Sequence, residues 1–485
     1  NLFCKLVSHN KCVILVSDMY LPSTILEEIL ADCGISGYEE LIVSCECGCR
    51  KDADTIWDYI FTKYNKESFV HVGDNPRSDW QTLIDRGIGV PWVMSSMDEM
   101  RFMGDTYLLK EKENNPRKSI EYGMIYNQGI CNSPFNLNDK GTLRIKDPWT
   151  LGFSVFGPLF YGFAYWLNDT LPQDAKILFL SREGYILKQI YDIVCSSYQE
   201  EARESKYLLT SRRAASVASI QSWNDVREIL ERDYEGDVNS MLWNRLGIRT
   251  TLDYGKKNIR ITNDDLSELD EVIEHMRKDV CVDFAQFEDE RNCYLEYIEM
   301  VIPKKEWNKV VVVDVGYAGT IQYYLSKLMK QPVAGAYLAS FGKTKPDSIG
   351  CHLDIMYPKQ VEFNHVIFLT QLFLESALQA PCGQLIRFKK DSNNVNVPVY
   401  KSDGIVSASI AKLQDGILEY CRRRSNLQRE YKIDEKYDYT IAEKIFQKYI
   451  NGKYMSEELS SVFSVEDSYC KNKVLRFDST TNSWK

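Results

Sequence analysis

Long apolar runs are missing from this 485-residue sequence. The most apolar stretch, residues 151–167, is interrupted by Gly152, Gly157, Pro158 and Gly162. It therefore falls short of the ~20 consecutive apolar residues that a bilayer-spanning helix needs. We predict a buried helix there, no transmembrane segment, and a cytoplasmic protein.

Proline and glycine are scarce, with 14 and 26 residues, which argues against extended disorder. The hydrophobic fraction of 44% and the charged fraction of 26% are typical of globular proteins. At roughly 100 to 200 residues per domain, a chain of this length predicts two to four domains. The net charge of −10 lacks the positive excess of a dedicated nucleic-acid binder, so we expect small-molecule partners and no nucleic acid.

A secretory signal is absent as well, and the 14 cysteines are scattered, as expected for the reduced thiols of an intracellular protein. The one cluster, Cys45, Cys47 and Cys49, suits either a metal site or an ordinary loop, and the lack of a second pair nearby favours the loop. The sequence opens at Asn1 rather than at a methionine, and an apolar strand follows within a dozen residues. We therefore expect that its beginning is missing.

Apolar strands alternate with helical segments in residues 1–95. The pattern predicts strands at 12–16, 40–43, 68–72 and 90–93, with helices at 23–33, 52–64 and 78–86. This alternation is typical of a Rossmann-like parallel sheet. Residues 96–145 are polar and weakly periodic, and we interpret them as a connector.

A second α/β pattern occupies residues 146–400. It predicts strands at 176–180, 207–210, 309–313, 333–340 and 384–388, and helices at 185–198, at 364–379 and up to Met329. The charged residues 222–300 predict a helical insertion between two halves of a sheet. Residues 401–485 predict a helical C-terminal region, so the fold class of the chain is α/β.

Polar side chains line up at the strand ends of the first sheet. Ser17 follows the first strand, Lys51 begins a helix, and Asp74 and Asp79 follow the third strand. Ligands bind beyond the carboxyl ends of parallel strands, so we expect these groups to converge. A hydroxyl and an ammonium suit phosphoryl oxygens, and a carboxylate pair suits Mg²⁺. Each residue alone fits an ordinary loop, but their order and spacing together favour a site.

This set, with VSDMYLP at 16–22 and GDNPRSD at 73–79, resembles motifs two to four of the haloacid dehalogenase superfamily, in a branch found in bacterial surface-polysaccharide proteins. The resemblance covers residues 10–93. It implies that Ser17 binds a phosphoryl group, that Lys51 neutralises it during catalysis, and that Asp74 and Asp79 hold Mg²⁺. The superfamily's nucleophile and general acid lie in an Asp-x-Asp motif, which is absent before Ser17. We therefore expect an incomplete phosphatase module, either a fragment or one that has lost its activity.

Two strand-to-helix turns stand out in the second pattern. Arg182 lies in the first turn, and its planar guanidinium suits diphosphate oxygens. Asp314 begins the second turn, where it suits a cation or ribose hydroxyls. Backbone N–H groups and the helix dipole make the rest of that turn an anion cradle. Its predicted phosphate-binding residues are consecutive: Gly316, Tyr317, Ala318, Gly319 and Thr320.

Together the two turns resemble the ligand loops of type I phosphoribosyltransferases. The resemblance implies that Arg182 binds the pyrophosphate of phosphoribosyl pyrophosphate, that the later turn binds its 5-phosphate, and that Asp314 holds Mg²⁺. That family typically has two adjacent acids where this chain has only Asp314. The two modules side by side are also similar to proteins of bacterial capsule and O-antigen loci. In related capsule polymerases a ribose 5-phosphate unit is transferred to a saccharide acceptor and a phosphatase then removes its phosphate.

The remaining candidates each keep two interpretations. Glu375 interrupts the apolar face of the helix 364–379, as a buried acid that activates an acceptor or as the partner of a structural arginine. Arg212 and Arg213 either reach the cleft of Arg182 or are exposed at a helix cap.

The predicted function is a glycosyltransferase of bacterial surface-polysaccharide synthesis, joined to an incomplete phosphatase module, with other polysaccharide-assembly proteins as candidate partners. Two alternatives stay open. One is a phosphohydrolase whose second domain gives substrate specificity. The other is a non-catalytic scaffold or ligand sensor.

Overall fold

The computed structural model describes residues 2–90, 93–102, 116–131, 145–197, 203–250, 255, 258–262, 264–280, 282, 284–340, 344–357, 365–401, 404–431, 437–450, 455–467, 473–478 and 481–485. The described residues up to 102 belong to one compact unit, and those from 116 onwards belong to a second. Both units mix helices with strands, which confirms the α/β class.

The first unit is built on two parallel strands, β1 (Ile14–Ser17) and β2 (Glu40–Val43), in a register that pairs Ser17 with Val43. Its core surrounds the fully buried Trp57, with Ile56 and Ile60 from the same helix and Leu83 from the next. The α-helices are Leu2–Ser8, Ser23–Asp32, Ser44–Cys47, Thr55–Lys63, Thr82–Asp85 and Ser96–Phe102, with a 3₁₀ turn at Lys66–Ser68 and a π-helical segment at Pro76–Gln81.

The strand predicted at 68–72 is wrong. Lys66–Ser68 is a 3₁₀ turn, and residues 69–72 are extended but belong to no strand. Phe69 and His71 contact the ring of Trp57, whereas Val70 and Val72 are 67% and 46% exposed. The alternation that suggested a strand is thus present in the side chains, but residues 69–72 pair with none of the described strands. Residues 91 and 92 of the strand predicted at 90–93 lie outside the described residues.

The second unit contains most of the strands. In chain order they are β3 (Lys176–Leu180), β4 (Ser205–Leu208), β5 (Tyr234–Gly236), β6 (Ile259–Ile261), β7 (Val310–Asp314), β8 (Ala334–Ala339), β9 (Leu353–Tyr357), β10 (Leu385–Lys390), β11 (Asn396–Tyr400), β12 (Ser464–Asp467), β13 (Lys473–Asp478) and β14 (Ser483–Trp484). Five of them form one parallel sheet in the order β4-β3-β7-β8-β9. The central strands β3 and β7 are almost wholly buried, as continuous apolar runs in a parallel sheet should be. Of the five, β9 is the strand that the sequence did not predict.

Helices make up most of the rest of the second unit. The α-helices are Pro116–Ile125, Pro148–Leu151, Gly157–Thr170, Gly184–Cys195, Arg212–Ala218, Trp223–Leu230, Val238–Leu246, Ser267–Asp279, Phe284–Val301, Thr320–Met329, Val366–Leu369, Gln371–Ala377, Ala408–Tyr431, Tyr439–Tyr449 and Glu457–Ser460. Helical segments at Tyr126–Ile130 and Gly152–Phe156 are of the π type, and Lys304–Lys309 and Pro346–Ile349 are 3₁₀ helices. Residues 151–167 are helical and mostly buried, as predicted.

None of the described helices combines the length and the hydropathy that a membrane span requires.

The described part of the predicted helical insertion at 222–300 contains four α-helices, the last of which continues to Val301, and the antiparallel pair β5 and β6. It leaves the sheet after the edge strand β4 and returns at β7, and both of these strands neighbour β3. The chain therefore leaves the sheet and returns to it next to β3, the strand that precedes the turn with Arg182.

The predicted connector at 96–145 is partly helical where it is described. Ser96–Phe102 belongs to the first unit, and Pro116–Ile125 belongs to the second. In the second unit Glu121 makes a buried ion pair with Arg424 of the helix Ala408–Tyr431. Residues 116–131 thus contribute to the core of that unit.

The helical prediction for 401–485 is wrong at its end, where β12, β13 and β14 form an antiparallel sheet. Aromatic side chains explain why this segment is a sheet. Phe463, Phe477 and Trp484 pack around Phe373, with ring centroids 4.9, 4.6 and 5.1 Å away. The three-stranded sheet thereby covers the helix Gln371–Ala377.

Candidate functional site

Three turns meet at one edge of the parallel sheet because they follow neighbouring strands that run in the same direction. The register pairs Phe179 of β3 with Val313 of β7 and with Tyr207 of β4. Turn 181–184 and turn 314–320 therefore begin side by side, and the turn that leads to Arg212 begins on the other side of β3. This is the edge at which ligands bind in open α/β sheets.

A cavity of about 340 Å³ lies at this edge. It is lined by all of the residues that the sequence assigned to the second site: Arg182, Asp314, Gly316, Tyr317, Ala318, Gly319, Thr320 and Glu375. Further polar residues also line it: Ser181, Glu183, Thr210, Ser211, Arg212, Arg232, Gln371 and Gln384. Leu372, Val465 and Leu475 add an apolar wall, part of which comes from the C-terminal sheet.

Two glycines shape the later turn. Gly316 has φ of 146°, and a Cβ there would lie 2.2 Å from the carbonyl oxygen of Ala339. Gly319 has φ of 65° and precedes the helix Thr320–Met329, and a Cβ there would lie 2.6 Å from Pro346. Both positions combine a positive φ with a close approach, which only glycine allows without strain. Each of the turns 181–184 and 314–320 also contains a cis peptide bond.

The turn with Arg182 is joined to the turn with Arg212 through Ser181 and Thr210. The Ser181 hydroxyl donates to the Thr210 carbonyl oxygen at 2.6 Å, and the Thr210 N–H donates to Ser181 Oγ at 2.8 Å. Tyr294 also donates to the Thr210 hydroxyl at 2.6 Å. These bonds are buried, so they fix the relative positions of two turns that each carry a cavity arginine.

Three carboxyl groups lie among the arginines. Burial raises the pKa of Asp314 well above its usual value, and the charges of Glu183 and Glu375 raise it further. The hydrogen bond from the Val315 N–H, at 2.8 Å, and the charge of Arg212 act in the opposite direction. The protonated form of Asp314 is therefore favoured until a cation compensates the negative charge of the carboxylate.

Arg232 was missed in the sequence, although it lines the same cavity and its Nη2 donates to the Thr320 hydroxyl at 2.6 Å. It lies in the insertion, 88 residues before Thr320, and no local motif surrounds it. Neither interpretation of Arg213 is right, because it does not line the cavity and it is only 4% exposed. Its guanidinium is buried against Glu290, with contacts of 2.7 and 3.1 Å, whereas Arg212 lines the cavity.

In the first unit, Lys51 and Asp79 come together as the sequence predicted. Lys51 Nζ lies 2.9 Å from Asp79 Oδ1, and both side chains are largely buried. His71 Nε2 lies 3.1 Å from the same oxygen, and the carboxylate of Asp18 accepts from the Lys51 N–H. Ser17 is half-buried at the end of β1, and Asp74 is exposed.

The carboxylate of Asp79 is held in its charged form. Burial alone would raise the pKa of Asp79, but the hydrogen bonds from His71 and Lys51 and the charge of Lys51 outweigh it. The pKa is therefore lowered below its usual range. Asp79 thus serves as the charge partner of Lys51, with Asp74 exposed on the same loop.

No group of three or more His, Cys, Asp or Glu side chains among the described residues can hold a metal ion. Cys45, Cys47 and Cys49 are described and form no such group, but Cys45 and Cys47 lie in the short helix Ser44–Cys47 and not in the loop that the sequence favoured. Mg²⁺ commonly takes one or two carboxylates and completes its shell with water and substrate phosphates. Asp314 fits such a shared site, because the arginines beside it suit a phosphorylated ligand.

No protein-family model matches this chain, and no curated protein is significantly similar to it. The resemblances given above therefore rest on their sequence motifs alone.

Proposed function

We propose that the second unit is a glycosyltransferase site that takes a phosphoribosyl group from phosphoribosyl pyrophosphate, with Mg²⁺, in bacterial surface-polysaccharide synthesis. The observation that carries the proposal is that Arg182 and the turn 314–320 line a single cavity. A ligand with phosphate groups at both ends suits this arrangement. The arginines and the helix N-terminus that line the same cavity as Asp314 suit such anionic groups.

The proposal gives each part of the cavity one task. The 5-phosphate binds at Gly319 and Thr320, where the first N–H groups of a helix need partners and the helix dipole favours an anion. The diphosphate binds at Arg182 and Arg212. Asp314 would hold Mg²⁺, and the ion would supply positive charge to neutralise the pyrophosphate leaving group.

Glu375 is proposed to act on the acceptor. It lines the cavity and is half-buried, and its charge contributes to the raised pKa of Asp314. In the transfer, the acceptor hydroxyl oxygen bonds to C1 of the ribose while the bond from C1 to the pyrophosphate oxygen breaks. The hydroxyl proton passes to the Glu375 carboxylate, which thereby acts as a general base.

For the first unit we propose a phosphoryl-binding role centred on Lys51. Its support is the ion pair with Asp79 beyond the end of β1, where Ser17 lies. Phosphatase activity of the haloacid dehalogenase type needs an aspartate nucleophile, and residues 1–16 contain no aspartate.

Calorimetric titration with phosphoribosyl pyrophosphate and Mg²⁺ tests the proposal. Arg182→Gln removes charge-assisted hydrogen bonds and should raise Kd by about ten- to a hundredfold, and Asp314→Asn should lower affinity in Mg²⁺ in the same way. Matched controls are Arg422→Gln and Asp415→Asn on the helix Ala408–Tyr431, neither of which lines the cavity. No heat at millimolar ligand would overturn the proposal and favour a scaffold.

Phosphate release from ribose 5-phosphate distinguishes the phosphohydrolase alternative. A site that only transfers the sugar should release no phosphate from this compound. Release that persists unchanged in Asp314→Asn would favour a phosphohydrolase and contradict the transferase.

A further inference from the structure

Arg232 connects the insertion to the candidate site. It follows the helix Trp223–Leu230, and its Nη2 donates to Oγ1 of Thr320 at 2.6 Å. Both residues line the cavity, and Thr320 is only 6% exposed. The insertion thus places a cation beside the first residue of the helix Thr320–Met329.

The backbone that carries Arg232 is fixed from within the insertion. Arg245 is fully buried, and its guanidinium donates to the carbonyl oxygens of Leu230, Arg232 and Asp233 at 2.9, 3.0 and 2.8 Å. It also lies 5.2 Å from the centre of the Tyr234 ring. A fully buried arginine that satisfies three carbonyl groups holds this segment in one conformation.

Ion pairs connect the insertion helix Trp223–Leu230 to the helix Thr320–Met329 and to Lys345. Lys327 Nζ lies 2.9 Å from Asp225 and 3.0 Å from Glu228, and Lys345 Nζ lies 3.1 Å from Glu228. All four side chains are less than a third exposed, so solvent screens these pairs only in part. The position of Arg232 beside Thr320 is therefore supported at both ends of the helix Trp223–Leu230.

We infer that Arg232 is a phosphate-binding residue and that Thr320 and Arg232 form one of two anion subsites, the other being Arg182 with Arg212. The inference rests on the proposed function and names its ligand class: a sugar with a phosphate monoester at one end and a second anionic group at the other. The buried bonds between Ser181 and Thr210 join the two arginines of the second subsite.

A phosphate monoester in the first subsite replaces the bond between Arg232 and Thr320. The guanidinium has five N–H donors and can bind two phosphate oxygens at once. The Thr320 hydroxyl, which accepts from Arg232 in this structure, then becomes a donor to the ligand.

The two subsites can be titrated separately with ribose 5-phosphate and with inorganic pyrophosphate. Arg232→Gln is expected to weaken ribose 5-phosphate by about ten- to a hundredfold and to leave pyrophosphate unchanged, whereas Arg182→Gln should do the reverse. Arg227→Gln is the matched control, since Arg227 lies on the same insertion helix and pairs with Asp270. Arg232→Lys keeps the positive charge but lacks the paired N–H donors of a guanidinium. It should lose less ribose 5-phosphate affinity than Arg232→Gln does. It serves as the test variant if Arg232→Gln does not fold.

The outcomes separate this inference from the proposed function. Wild-type binding of phosphoribosyl pyrophosphate, with ribose 5-phosphate binding unchanged in Arg232→Gln, overturns the subsite and leaves the proposed function standing. Loss of ribose 5-phosphate binding in Arg232→Gln, in a protein that does not bind phosphoribosyl pyrophosphate, supports the subsite and overturns the proposed function. A wild-type protein that does not bind ribose 5-phosphate at all also overturns the subsite.

Discussion

Arg212 and Arg213 are adjacent in the chain, but Arg212 lines the cavity whereas Arg213 is buried against Glu290. They begin the helix Arg212–Ala218, which Ser211 caps by accepting from the Ala214 N–H. Successive side chains of a helix point about 100° apart. The side chain of Arg212 can therefore face the cavity while that of Arg213 faces the core.

Exchanging each arginine should therefore have opposite effects. Arg213→Met leaves the carboxylate of Glu290 buried without its main partner and should cost about 3–5 kcal/mol of unfolding free energy. Arg212→Gln should change stability by no more than about 0.5 kcal/mol and should weaken binding of phosphoribosyl pyrophosphate. Urea unfolding and calorimetry measure the two effects. Equal losses of stability would contradict the assignment.

Ser181→Ala tests the buried hydrogen bonds that connect the turn of Arg182 to the turn of Arg212. The substitution leaves the buried N–H and carbonyl oxygen of Thr210 without their partner, which should cost about 1–3 kcal/mol. It should also weaken pyrophosphate binding, because the two arginines lose their fixed spacing. Ser196→Ala is the control, since that hydroxyl is exposed and bonds only within its own helix turn. Unchanged pyrophosphate affinity would show that the hydrogen bonds between Ser181 and Thr210 do not position the two arginines.

Local sequence patterns predicted the centre of the second unit well. The apolar runs that became β3 and β7, and the glycines of turn 314–320, carry their signal within a few residues. The strand-to-helix turn was predicted from the sequence, whereas the positive φ and the close approach at Gly316 and Gly319 were found only in the structure. Residues of both turns, 181–184 and 314–320, line one cavity.

The errors arose where long-range contacts decide the structure. Arg232 reaches Thr320 only because Arg245 and the ion pairs of Lys327 fix the insertion, and no spacing in the sequence encodes this. The C-terminal strands depend on packing around Phe373. The segment 68–72 has the alternation of a strand, but pairing in a ladder needs a neighbouring strand, which alternation does not reveal.

Glu228→Gln should loosen the insertion in a pH-dependent way. Burial alone would raise the pKa of Glu228, but the hydrogen bond and charge of Lys327 and the charge of Lys345 lower it. A lowered pKa means that the carboxylate stabilises the fold above its ordinary pKa of about 4.3 and that this contribution is lost as the pH falls further. Hydrogen exchange of residues 223–230 should therefore be faster in the variant than in the wild type at pH 7. The difference should shrink as the pH falls through the lowered pKa of Glu228. A difference that does not depend on pH would exclude the carboxylate as its cause.

Asp79→Asn should destabilise the first unit. The substitution removes the charge partner of the buried Lys51 and one partner of His71. Hydrogen exchange of the helix Thr55–Lys63, which contains the core residue Trp57, reports on this unit alone. We expect faster exchange at pH 7 in Asp79→Asn and none of this effect in Asp85→Asn, an exposed acid nearby. Equal exchange in wild type and Asp79→Asn would show that the ion pair contributes nothing to this fold.

If Arg182 and the turn 314–320 bind one ligand together, that ligand should protect both segments from hydrogen exchange. We therefore propose to measure exchange with and without phosphoribosyl pyrophosphate and Mg²⁺. Exchange should slow in residues 181–187 and 316–322 at the same ligand concentration, and both effects should weaken in Arg182→Gln. Protection of only one segment, or of neither, would show that the two turns do not share a ligand.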